Sequence, residues 1–373
     1  MAHAYTPGLR VTPQAVLRKV RRLPLPGRIH VAVGDVVRAT DIVAATELPG
    51  NVTTVNIARE MNCQPSEVPG HMVKLVGEAV AAGEVLAETK SFFGLFHAFA
   101  KAPVAGTIES VSEITGQVLL RGAPTPVSLE AYVDGAVAEL VGDEGVTIET
   151  VGALLQGIFG LGGETYGELH LACEAPDQPL TPERLGADCA GRVVVGGSHA
   201  SLAALRRAIE VGAKAVVVGG VSDTDVDELL GYHLGVAVTG HERLGLTLVV
   251  TEGFGTIPMA ARSFALLQER VGQPASVSGA TQIRAGVIRP EVIVAAPGAT
   301  PTTAAAGEAG LLDLGSPIRL IREPYFGQLA SVTGLPEEPR QIATEAHVRV
   351  LTARLADGTE VTVPRANVEL IEQ

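Results

Sequence analysis

The sequence predicts a multidomain chain that joins β-rich modules to an open α/β domain, and three observations predict it. A motif at Val33–Thr46 returns at Val76–Thr89, 43 residues further on, with matching apolar, acidic and small positions, the mark of a duplicated β unit. Between Arg192 and Val218 the pattern runs strand, amphipathic helix, strand. From Pro317 onward, alternating apolar segments are punctuated by turn residues, Asp357-Gly358 among them.

Composition agrees. At 373 residues the chain exceeds one ordinary domain. A hydrophobic content of 46% against 18% charged excludes a disordered protein. Trp is absent, and 43 Gly accompany abundant Val and Ala, which favours short strands joined by tight turns. There is no apolar leader, and no segment reaches the roughly 18 apolar residues of a membrane span, so a cytoplasmic protein without membrane contact is expected. Cys63, Cys173 and Cys189 fit neither a disulfide framework nor a CxxC zinc site; idle or buried thiols and no metal are the expectation.

Residues 1–26 read as a basic arm. Arg10, Arg18, Lys19, Arg21, Arg22 and Arg28 all precede Asp35, the first acidic residue, although the whole chain carries −13. Such an arm can touch RNA, an acidic membrane surface or an acidic partner, or it can fold back on the acidic body of its own chain. The overall charge argues against a protein that coats nucleic acid.

Residues 27–172 read as a β domain, with strands expected at Ile29–Val33, Val52–Ile57, Thr107–Val111 and Val118–Arg121. The repeat is followed by Pro49-Gly50-Asn51-Val52 in the first copy and by Pro103-Val104-Ala105-Gly106-Thr107-Ile108 in the second. This last phrase, preceded by Val76–Ala87, resembles the biotinyl/lipoyl barrel-sandwich hybrid over residues 25–140, and the resemblance implies two β units interlocked about a pseudo-dyad. Carrier members hold their modified lysine between methionines. The nearest lysine here is Lys90, with no flanking Met, so neither biotin nor lipoate is expected and the domain resembles the non-carrier type. An insertion places Phe92, Phe93, Phe96 and Phe99 around His97; these rings either form a contact surface or cap their own barrel, and His97 reads as packed.

Further on, Gly157–Glu164 reads as a Gly-rich turn lacking phosphate-loop spacing. Ala175–Pro182 reads as a Pro-rich connector leading into an α/β domain over residues 173–296. Helices are expected at His199–Val211, closed by Gly212, and at Ile257–Arg270, with Pro258 near the start; strands are expected at Lys214–Val218, Val236–Thr239 and Leu246–Thr251. Open α/β sheets bind ligands beyond their strands' carboxyl ends. There stand Gly196, Gly197, Ser198 and His199, then Thr239, His241 and Glu242, then Glu252, Gly253 and Gly255. Ser198 and Thr256 would open helices with free amides for an anion, while the His and Glu side chains offer acid/base or ligand chemistry. The same Gly turns and Ser or Thr caps serve any α/β fold. No catalytic residues are assigned, because no nucleophile, base and orienting group share a diagnostic spacing.

Residues 297–315 read as a linker rich in Pro, Thr and Ala, and residues 316–373 as a small β domain. Pro317–Val332, with its Pro-aromatic-Gly turn, resembles the KOW motif, and the segments after it resemble an SH3-like barrel; Ala330 stands where the motif commonly has Gly. Relatives of that module bind RNA or protein, which would point to Arg319, Arg322 and Tyr325. With six Arg, no Lys and eight acidic residues the domain is net −2, which suits a protein partner better than a duplex.

The fold class expected is therefore a duplicated barrel-sandwich hybrid, a central open α/β domain and a C-terminal SH3-like barrel. The expected function is a non-catalytic scaffold or adaptor for a macromolecular complex, by analogy one of transcription or translation. The alternative is a protein or enzyme that binds a small anionic ligand in its central domain. Self-association is compatible with either.

Overall fold

A computed structural model of the chain describes residues 9–89, 98–233, 240, 242–282, 288–296, 298, 312–320, 322, 324–325, 328–336, 338–341, 347–355 and 357–370. Strands dominate them, distributed over several sheets of which none closes on itself. No helix among these residues is long and apolar enough to cross a membrane.

The first half contains β1 (Val11–Arg22), β2 (Arg28–Ile29), β3 (Val36–Val37), β4 (Ile42–Leu48) and β5 (Val52–Asn56), then short helices α1 (Ile57–Met61) and α2 (Val68–His71). It continues with β6 (Ala79–Val80), β7 (Val85–Glu88), β8 (Phe99–Lys101), β9 (Gly106–Val111), β10 (Gln117–Arg121), β11 (Thr125–Glu130), β12 (Gly135–Val141) and β13 (Gly145–Gln156). The central part contains β14 (Phe159–Leu161), β15 (Glu164–Leu171), β16 (Val193–Val195), β17 (His199–Ala200), α3 (Leu202–Glu210), β18 (Ala215–Val221), α4 (Asp223–Leu230), β19 (Thr247–Phe254), α5 (Ala261–Glu269), β20 (Pro274–Ser278) and β21 (Glu291–Ala295). Last come β22 (Pro317–Leu320), β23 (Leu329–Gly334), β24 (Arg340–Gln341), β25 (His347–Val348), β26 (Val350–Leu355), β27 (Glu360–Pro364) and β28 (Val368–Leu370).

The duplication is written into backbone hydrogen bonds. Gly34 and Gly77 share a φ of +92°, which glycine adopts without a Cβ clash. The Asp35 and Glu78 carboxylates accept from the amides of Ala32 and Leu75, at 2.8 and 3.0 Å. Gly34 donates to Val137 and Gly77 to Ile108, both at 2.8 Å. The stretch that completes the first copy is therefore Ala131–Val137, a correction to the linear match with Pro49–Val52. Ala131-Tyr132-Val133-Asp134-Gly135-Ala136-Val137 serves the first copy as Ala102-Pro103-Val104-Ala105-Gly106-Thr107-Ile108 serves the second. Gly135 and Gly106 are glycine for one reason: a Cβ would strike the carbonyl oxygen of Glu149 or of Arg121 on the adjacent strand. The second copy is thus inserted inside the first. β5 leaves the outer copy to join the inner sheet, ordered β5-β10-β9-β6, and β11 returns to pair with β4.

The basic arm is a strand. β1 lies antiparallel along β13, from Val11 opposite Leu155 to Arg22 opposite Gly145. Its cations meet the acids expected of a chain folded back on itself: Arg18 with Glu149, Lys19 with Glu291 and Arg21 with Glu164, each at 2.6 Å, and Arg22 with Glu144 at 3.7 Å. Nor does the sheet break where residues 172 and 173 were expected to divide two domains. One path, β14-β19-β18-β16-β15-β20-β21-β13-β12-β3, crosses that point, with β15 bonded to β16 on one side and β20 on the other. The Gly-rich segment after Gly157 is part of it, as β14; a Cβ on Gly160 would lie 2.6 Å from the Gly279 oxygen, so backbones meet there directly.

Within this sheet β15, β16, β18 and β19 are parallel and stand in chain order. Val194, Val216, Val218, Leu248 and Val250 face a core shared with Leu205 of α3 and Val226 of α4. The alternate positions Val193, Val195, Val217 and Val249 face Phe264 and Leu267 of α5. The period-2 alternation thus buries both faces. Helix starts differ from expectation: α3 is capped by Ser201, whose Oγ accepts from the Ala204 amide, and α5 begins at Ala261. Pro258 falls before the helix, so neither Ser198 nor Thr256 opens one.

The C-terminal sheet is five-stranded and antiparallel, ordered β27-β26-β23-β22-β28. Among the described residues it is open, with β27 and β28 as its edges, rather than a closed barrel. At the expected Asp357-Gly358 turn, Leu355 and Thr359 pair across a three-residue loop, with Gly358 at φ +86°. Most of the expected linker, 297 and 299–311, lies outside the described residues.

Candidate functional site

The strongest concentration of buried charge lies where β19 and α5 meet β22 and β28. Glu252, near the end of β19, accepts the Ala260 amide at 3.0 Å through Oε1, where the start of α5 favours a carboxylate. Its Oε2 accepts from Arg319 Nη2 at 2.7 Å. Arg319 projects from β22, 2% exposed, directly across the strand pair from Glu369 on β28. Glu369 Oε2 lies 3.7 Å from Arg319 Nη1 and 3.4 Å from Arg289 Nη2. Two acids and two arginines therefore neutralise one another out of water.

Glu369 is the most deeply buried member. It is 1% exposed, with the Leu9 backbone amide nearby and its two cations standing off at 3.4 and 3.7 Å. Burial pushes its carboxyl above the ordinary value, against the pull of Arg289 and Arg319. A cleft of about 60 Å³ adjoins the quartet, bordered also by Leu9, Gln156, Arg262 and Ser263. Pockets for metabolites run to several hundred Å³; this one has room for a few waters. The arrangement fastens the C-terminal sheet to the central one.

The crevice expected to hold a ligand is filled by the chain itself. The segment 175–178, expected to be a linker, packs into it: Ser198 donates its hydroxyl to Asp177 O at 2.8 Å and its amide to Gln178 O at 2.9 Å, and a Cβ on Gly197 would strike Gln178 O. The segment after β19 closes the other side, with Ile257 donating to Ser198 O and Met259 to Pro176 O. Gly219 and Gly220 admit the carbonyls of Ile257 and Gly255, and Gly255 donates to Val221 O. Because the parallel strands run in chain order, no reversal opens a cleft between them. Gly196 lies against Leu180 and Val218, and Gly253 takes φ +152° within β19. His199 is half-buried, its Nδ1 without a partner among the described residues. Glu242 binds the amides of Gly162 and Gly240, at 2.9 and 2.8 Å. Thr239 and His241 lie outside the described residues.

Of the residues expected to meet a partner, Arg319 is internal, a correction that follows from its ion pair with Glu252. Tyr325 packs half-buried on the C-terminal core and Arg322 is half-buried in the same turn. Phe99 is exposed, with Lys101 over its ring. Lys90, Phe92, Phe93, Phe96 and His97 lie outside the described residues. Sequence reasoning missed the apolar turns of the inner repeat: Leu75 is 71% exposed, Val76 59% and Ile114, in the β9–β10 turn, 89%. The β6–β9 register brings these turns to one end of the inner sheet. It also missed two groups of potential ligand atoms, Cys63 with Glu67 and His71, and His170 with Asp188 and Cys189. A CxxC search passes over both.

No family model matches this chain, nor does any curated protein.

Proposed function

We propose that this protein is a non-catalytic cytoplasmic scaffold or adaptor that docks to a protein complex. In this reading its nested repeat is a barrel-sandwich hybrid of the non-carrier type, without biotin or lipoate, and its C-terminal sheet a KOW-type SH3-like module. The observation that carries the reading is the solvated apolar end of the inner repeat, Leu75, Val76 and Ile114. Exposed apolar groups on turns at the same end of one sheet favour a protein partner. Charge supports the same choice over RNA, since the cations of β1 are already paired with acids. By analogy with KOW relatives the complex belongs to transcription or translation.

The test is the full-length protein carrying Leu75→Asp, Val76→Asp and Ile114→Asp, compared with the parent after cross-linking in its own cells. A discrete complex for the parent, lost in the variant while its melting curve is unchanged, is the expected result. A complex that survives the three substitutions, or a parent that stays monomeric and unpartnered, overturns the reading. Stabilisation of about 2.7 kcal/mol by a phosphate or nucleotide at a hundredfold its Kd would favour the small-ligand alternative instead.

A further inference from the structure

The segment between β5 and β6 carries chemistry that the adaptor role does not use. α1 is capped by Asn62, whose φ of +52° turns the chain so that the Cys63 amide donates back to Ala58 O at 3.0 Å. A single 3-10 turn, Pro65–Glu67, follows, and α2 ends at His71. The result is a Cys-x3-Glu-x3-His spacing whose sulfur, carboxylate oxygen and imidazole nitrogen all lie within 4.8 Å of one another. In a tetrahedral zinc site, bonds of about 2.0–2.3 Å place such atoms roughly 3.3–3.6 Å apart. Binding an ion would draw the three atoms together by side-chain rotation.

The surroundings favour an ion. Glu67 Oε2 accepts the Gln64 amide at 2.9 Å, which orients the carboxylate as an outer-shell donor orients a metal ligand. Ile57, Met61 and Val68 are buried beneath the segment, so its base is fixed while Glu67 faces solvent. Helical pieces this short do not hold themselves, and an ion would tie the three turns together. The other cluster is less suited. There the Cys189 thiol is fully buried and pushed up by that burial, and His170 is already 3.3 Å from Asp188.

We propose that Cys63, Glu67 and His71 bind a divalent cation of the zinc class, with a fourth position left to water. Thiolate and imidazole beside a single carboxylate select such an ion over magnesium or calcium.

Full-length protein freed of metal and titrated with Co²⁺ as an optical probe tests this. Expected are one equivalent bound, tetrahedral d–d bands, a sulfur-to-cobalt charge-transfer band, and displacement by Zn²⁺. Cys63→Ser should abolish the charge-transfer band, and His71→Ala should weaken binding by more than about 100-fold, beyond the loss typical of an outer-shell contact. Glu67→Gln, at an exposed position that leaves the core untouched, should weaken it at least about tenfold and keeps the test decisive if either other variant fails to fold. Cys189→Ser should change nothing. Absence of a thiolate band in the parent, binding unaltered by Glu67→Gln, or a band lost in Cys189→Ser and kept in Cys63→Ser would overturn the assignment.

Discussion

Arg319 and Glu252 meet at 2.7 Å across the seam between the central and C-terminal sheets, the sole charged residue of each strand. Removing one partner leaves a carboxylate buried without compensation, so Arg319→Met is expected to cost about 3–5 kcal/mol. Urea denaturation measures it, and the double variant with Glu252→Gln should recover part of the loss. A cost under about 1 kcal/mol, the size of an exposed pair, would show that the seam is wet.

The neighbouring Glu369 makes stability depend on pH. Its native carboxyl is held above the ordinary 4.5 by burial, so the native state binds the proton more tightly than the unfolded chain. The stability this provides is complete below the unfolded value and disappears as pH rises through the native one. Glu369→Gln removes the titration. The stability difference between variant and parent should therefore move in the variant's favour from about pH 4 to about pH 7. Denaturation midpoints over that range that stay parallel, or diverge the other way, reject the assignment.

Deleting residues 1–22 removes β1 and its four ion pairs. It also uncovers β13 on a side where its backbone groups are bonded, and leaves Glu291 without Lys19. The expected outcome is a protein destabilised by several kcal/mol, since buried backbone groups lose their partners. A melting temperature equal to that of the full chain would restore the picture of a dispensable arm.

Gly106 and Gly135 occupy one role in two copies, and their substitution should show it. Alanine at either presses on a strand backbone that has no room to give, at an expected cost of about 1–3 kcal/mol. Calorimetry of the two single variants should give similar losses. A large loss at one position and none at the other would break the equivalence.

Local structure was legible where a single period decides it. The β16–α3–β18 unit follows from alternation, helical spacing and Gly212. The repeat at Val33 and Val76 was equally plain, but its nesting was not: residues between the halves of a unit leave no trace in a linear alignment, and Ala131–Val137 matches Ala102–Ile108 only after both are folded. Pro-rich 175–182 looked like a linker because composition reports turns, not what the turns pack against. Glu252 and Arg319 were each singled out, Glu252 for a ligand and Arg319 for a partner, and only tertiary structure shows that they satisfy each other. The Cys63 spacing went unread because its residues stand on a connection, a 3-10 turn and a short helix rather than on one face of a long helix.

Nesting also dictates an order of assembly. As the chain leaves the ribosome, Leu75, Leu86 and Ile108 are all present before Ala131 appears, so the inner copy can close while the outer one still waits for its final strand. A premature stop between residues 122 and 130, after β10, would accordingly yield one finished unit and one stranded half, with Val37 and Val43 left facing water.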